Sequence, residues 1–101
     1  MRERTELQSK LEEFLGSRNV YFQPPESFKL KYPCIIYQLS RMRKVNANDK
    51  KYLGFTAYQV TIIDEDPDSE LPKRFDELTY SSYDRFFVSD DLNHWVFELY
   101  F

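Results

Sequence analysis

Between Phe55 and Asp68 the chain reads FTAYQVTIIDEDPD, a run of alternating strand formers that stops in acidic residues split by one proline. In an extended chain Tyr58, Val60 and Ile62 point to one side, and Ala57, Gln59, Thr61 and Ile63 to the other. Apolar groups on both sides need cover on both sides. The stretch is therefore expected at the centre of a sheet, with the rest of the chain packed on it or looped around its ends.

The segment before it supplies a helix and more strands. Over residues 3–15, Leu7, Leu11, Phe14 and Leu15 form one apolar stripe, and Gly16 follows where a left-handed stop is cheapest. Asn19–Pro25 reads as a short strand closed by Pro24 and Pro25, which cannot donate ladder hydrogen bonds. Phe28, Leu30 and Tyr32 alternate with lysines as extended chain, and Pro33–Leu39 is apolar enough to lie inside a sheet. Ser40–Lys51 (SRMRKVNANDKK) then carries Arg41, Arg43, Lys44, Lys50 and Lys51, 5 of the 14 basic residues. With strands on both sides and turn formers Asn46, Asn48 and Asp49 inside, it is expected at the tip of a long β-hairpin.

After the acids, Ser69 can cap a helix with Pro72 in its first turn. Leu71, Phe75 and Leu78 would face the sheet from a helix of about 10 residues, near the usual length. Tyr83–Val88, a five-residue turn SDDLN and His94–Phe101 make a closing hairpin, with Trp95, Phe97, Leu99 and Phe101 on one face. This order predicts an α+β domain spanning 1–101. It consists of an antiparallel sheet of four to five strands, a long β-hairpin and two helices packed on one face.

Composition narrows the function. With 9 Phe and 8 Tyr in 101 residues, one small body cannot bury every ring, and exposed apolar surface usually marks an interface. A formal charge of −3 argues against general nucleic-acid binding. The single Cys34 cannot form an internal disulfide, the N-terminus is too charged for a signal peptide, and no apolar run reaches the ~20 residues that span a bilayer. The expected location is a cytoplasm.

Asp64, Glu65, Asp66 and Asp68 are the one acidic cluster with a choice of roles: a solvated helix entry, an acidic interface, or a cation site. Their spacing fits neither the calcium loop nor the acidic-x-Lys arrangement of a metal-dependent nuclease. The basic 40–51 stretch reads either as a solvated loop or as an arm gripping an acidic neighbour or DNA phosphate. Cys34 and His94 have no spacing that makes a catalytic pair, and neither a phosphate loop nor a zinc motif is present. No catalytic set and no cofactor is expected.

The stretches VYFQPP, KLKYPCIIYQLS, YQVTIIDEDPDSELP and YDRFFVSDDLNHWVFELYF resemble small tail-completion proteins (tail terminator or minor tail proteins) of long-tailed bacteriophages and prophages. The resemblance runs from about Asn19 to the C-terminus. It implies a structural virion protein without chemistry, monomeric when free and ring-forming, commonly hexameric, at the head-proximal end of the tail. Its implied partners are further copies of itself, the tail tube protein, the head–tail connector protein, and DNA passing through the lumen without sequence-specific binding; no membrane is involved. The implied location is the virion neck, reached from the host cytoplasm. Arg41, Arg43, Lys44, Lys50 and Lys51 of one subunit would then meet Asp64, Glu65, Asp66 and Asp68 of another. Two other readings of the residues are a small acidic inhibitor or antitoxin-like DNA mimic and, third, a metal-dependent nuclease.

Overall fold

The computed structural model describes residues 4–47, 50–78 and 80–101, with 41–47 and 50–55 described as backbone only. The elements in order are α1 (Arg4–Leu15), β1 (Val20–Phe22), β2 (Cys34–Ala47), β3 (Lys50–Asp64), α2 (Leu71–Asp76), β4 (Ser81–Ser89) and β5 (Leu92–Tyr100). The strands form one sheet in the order β1-β2-β3-β5-β4, so the fold is α+β and β3 is its centre. No described helix is long and apolar enough to cross a membrane.

Alternation along β3 divides the core. Tyr58, Val60 and Ile62 sit opposite Leu39, Tyr37 and Ile35 on one flank, and opposite Leu99, Phe97 and Trp95 on the other. On this face they join Leu7 and Leu11 of α1 and Phe75 of α2 in a single buried cluster. Both helices therefore lie on one face. Cys34, Ala57, Ile63 and Val96 point the other way and are buried as well, as expected of a central strand with apolar groups on both sides.

Helix α1 ends at Gly16, whose φ of +81° a side chain would resist and whose N–H closes on Glu12 O at 2.9 Å. One polar link ties the helix to the sheet. The fully buried Tyr37 donates its hydroxyl to Gln8 Oε1 at 2.6 Å and accepts from Arg4 Nη1 at 3.0 Å. Gln8 Nε2 in turn donates to Val20 O at 2.9 Å. Burial raises the Tyr37 phenol above its ordinary pKa, with Arg4 pulling the other way. Tyr37→Phe removes the centre of this chain of bonds while keeping the ring, so it should cost about 1–3 kcal/mol in a urea titration, because partly buried partners lose their mate.

Four expectations are corrected. The sheet is mixed, because β1 pairs parallel to β2 (Val20 with Ile35, Phe22 with Tyr37) after a connection too long for a hairpin. Helix α2 has six residues, and Leu78 lies beyond it at 40% exposure instead of facing the sheet. Ser69 Oγ accepts the Leu71 N–H at 3.3 Å, but Glu70 occupies the capping position. Finally, the closing hairpin turns on two residues, not five. Asp90 and Asp91 adopt φ of 53° and 62°, the left-handed pair a tight hairpin needs.

Candidate assembly surfaces

The long hairpin gives the molecule two distant ends. Strands β2 and β3 pair from Cys34–Ile63 to Ala47–Lys50, whereas β5 stops against β3 at Ala57. The ribbon beyond that point projects from the body as two strands. At ~3.3 Å per residue its described arms reach roughly 20 Å. The molecule measures 50 × 25 × 23 Å, with a radius of gyration of 14.6 Å against about 13 Å for a compact chain of this length. Arg41, Arg43 and Lys44 lie in the outgoing strand of this ribbon and Lys50 and Lys51 in the returning one. Their side chains, and Asn48 and Asp49 where a turn is expected, lie outside the described residues.

The acids occupy the other end. Asp64 closes β3, and Glu65, Asp66 and Asp68 follow it in an exposed loop. The loop is ordered by its own carboxylates: Asp64 Oδ1 accepts the Asp66 N–H at 3.1 Å and Asp66 Oδ1 accepts the Asp68 N–H at 2.9 Å. Asn93, nearly buried, donates from Nδ2 to the carbonyls of Asp64 and Glu65 at 3.2 and 3.3 Å. This pins the acidic loop to the start of β5, beside the Asp90–Asp91 turn. Tyr32 registers the same grouping. Its phenol is pushed up first by burial, then by Cys34, Asp90 and Glu65. Asp90 and Asp91 thus extend the acidic end. In the sequence they stand as turn formers more than twenty residues from the cluster they join, so only the fold shows the grouping.

The acids do not converge. Among the described residues no three of His, Cys, Asp and Glu are placed to hold a metal ion. Cys34 is fully buried, and burial, with the charge of Asp64 added, pushes its thiol up to about 12. The fold favours the neutral thiol; that contribution is complete below the ordinary thiol pKa and fades as pH climbs towards the raised one. His94 stacks on Phe87 at 4.5 Å and its Nδ1 meets Leu92 O at 3.1 Å, so the imidazole packs on the face of the sheet away from the helices.

Two apolar surfaces complete the picture. Tyr83, Phe86, Phe87 and Val88 of β4 are between 39% and 59% exposed, on the strand that ends the sheet. Between α1 and the segment around Leu78 and Tyr80 runs a groove of about 480 Å³, lined by Leu7, Leu11, Phe14, Leu78, Tyr80 and Phe101 among others. Comparison of the chain with protein families, with curated proteins and with solved structures found no match.

Proposed function

We propose that this chain is a structural subunit of a phage or prophage tail, forming a ring at its head-proximal end and acting without chemistry of its own. The observation that carries the reading is the separation of charge along the long axis. A ribbon whose sequence holds Arg41, Arg43, Lys44, Lys50 and Lys51 stands at one end, and Asp64, Glu65, Asp66, Asp68, Asp90 and Asp91 stand at the other. Unlike ends on one molecule favour head-to-tail contact, and such heterologous contacts generate rings when the rotation closes. Charge on both sides orients the encounter more than it tightens it, which suits a subunit that stays apart when dilute at physiological salt until a tail tip offers a seat. The exposed rings of β4 and the groove beside α1 supply apolar area for neighbouring chains. The segment phrases quoted above add the resemblance to tail-completion proteins, and with it the tube and connector proteins as partners.

The test is deletion of the gene from a producing prophage, followed by electron microscopy and titration of the particles. Tails of abnormal length, or tails left unjoined to heads, with infectivity lost by orders of magnitude, are the expected outcome. Normal particles contradict it. Gathering of Asp90 and Asp91 onto the acidic end also favours the second reading, a DNA-mimicking inhibitor. Normal particles together with recovery of a nuclease or polymerase on the immobilised chain would favour that instead.

A further inference from the structure

We infer that β4 is a self-pairing edge: two copies of this chain join their sheets antiparallel along Ser82–Phe87, with Asp84 of each opposite Arg85 of the other. The inference is independent of the charged head-to-tail contact and gives the exposed β4 surface a specific partner. The two edges of the sheet are unlike. At one, β1 is three residues long, and beyond it Gln23 Oε1 accepts the Leu39 N–H of β2 at 3.2 Å. Beyond that point β2 continues as the ribbon, with Arg41, Arg43 and Lys44 in its sequence, so this edge is short where β1 lies and basic after it. At the other, nine-residue β4 pairs with β5 alone, contains neither proline nor lysine, and exposes apolar side chains on both faces. Of the usual guards against pairing, β4 lacks short length, proline and lysine and keeps a bulge and the Asp84–Arg85 pair, which admit only a strand that matches them.

The bulge in β4 selects the partner. Tyr83 packs on Phe97 and Phe86 on Trp95, so both lie on the helical face. Arg85 is opposite Val96, and Phe87 stacks on His94, so both lie on the far face. Register shifts between Tyr83 and Arg85, leaving Asp84 extra, and its carboxylate holds Arg85 Nη1 at 2.7 Å. Asp84 therefore shares the far face with Arg85. Alternation places Ser82, opposite Glu98, there as well.

From Ser82 to Phe87 the faces then read far, helical, far, far, helical, far, which is the same in both directions. Opposed residues of an antiparallel pair share a face. A second β4 laid antiparallel matches at every position when Asp84 meets Arg85, Tyr83 meets Phe86 and Ser82 meets Phe87. Registers displaced by one residue oppose unlike faces at the bulge. The matching register forms two reciprocal ion pairs and two aromatic pairs, and gives the open backbone edge its hydrogen bonds. A foreign strand has no reason to carry this palindrome; a second copy carries it by identity.

Interchain disulfide formation and sedimentation test the register. Ser82→Cys/Phe87→Cys should link into a species of twice the 12.3 kDa chain mass under mild oxidation. Each single variant should not, because its cysteines lie several residues apart across the two-fold. Asp84→Arg alone should weaken the dimer on the order of tenfold, since like charges then oppose twice, and Asp84→Arg/Arg85→Asp should restore it to within about threefold. These positions are exposed, and circular dichroism of each variant confirms that the fold is kept. A wild-type mass of one chain at every concentration would overturn the inference, as would equal linking by the single variants or a swap no better than the single reversal.

Discussion

Phe75→Ala is expected to remove a large share of the stability of the domain, about 3–5 kcal/mol, by creating a cavity at a fully enclosed ring. Phe75 is fully buried, stands edge-on to Phe14 of α1 at 5.5 Å and tilts against Phe97 of β5 at 4.8 Å. Helix α2 is too short to hold itself, since a single turn and a half fixes more backbone than its hydrogen bonds repay. Its hold on the body comes from this side chain, helped by Ser81 Oγ donating to Phe75 O at 2.8 Å and by Arg74, which donates to Phe14 O at 3.3 Å. Small domains have only ~5–15 kcal/mol to lose. Chemical denaturation should show the change, with a fall in Tm of roughly 15–30 °C. Phe28→Ala is the control: that ring is 46% exposed, and its loss should cost under about 1 kcal/mol. Equal losses for the two would mean that the cluster joining both helices to β3 is not the core.

The second large effect is expected on association, not on stability. Lys50→Glu/Lys51→Glu leaves Arg41, Arg43 and Lys44 set against two new acids and so removes most of the ribbon's positive charge, and Glu65→Lys/Asp68→Lys lessens the acidity of the far end. The second pair leaves Asp64 and Asp66 in place, whose carboxylates order the loop. Neither variant touches a buried group at the acidic end, where Glu65 and Asp68 are exposed, so the folded chain should tolerate it within about 0.5 kcal/mol. Losing most of the attraction at one end should lower head-to-tail affinity on the order of tenfold. The wild-type contact should also weaken steeply as salt shortens the screening length below ~10 Å.

Much of the fold is legible in the residues because burial imposes a period. Strand β3 declared itself central through Val60 and Ile62 on one side and Ala57 and Ile63 on the other, and α1 through the Leu7–Leu11 stripe ending at Gly16. What failed was information that no period carries. Three residues of β1 alternate in the same way whichever direction they run, so the parallel pairing with β2 depends on the path of the 23–33 connection. Leu78 continued the helical spacing of Leu71 and Phe75, yet α2 ends at Asp76, and the chain needs the next residues to turn into β4. The Asp90–Asp91 turn was hidden because aspartate, unlike glycine, does not announce a positive φ. That miss mattered most. Reading the turn as five loose residues left Asp90 and Asp91 out of the acidic end, and the tether from Asn93 to Asp64 and Glu65 cannot be seen without the register of β5 against β3. The bulge at Asp84, which sets the face pattern of β4, is equally invisible to a strict alternation.

The claim that unlike ends bring copies together is tested most directly by weighing the two charge-reversed variants in solution, alone and mixed, by light scattering at low ionic strength. Wild type is predicted to pass beyond a dimer into a closed species, each variant to do so less, and their equimolar mixture to regain only the contact between the unaltered ribbon of one and the unaltered acidic end of the other. If all four samples show one mass, indifferent to salt, head-to-tail contact through the ribbon and the acidic end is wrong.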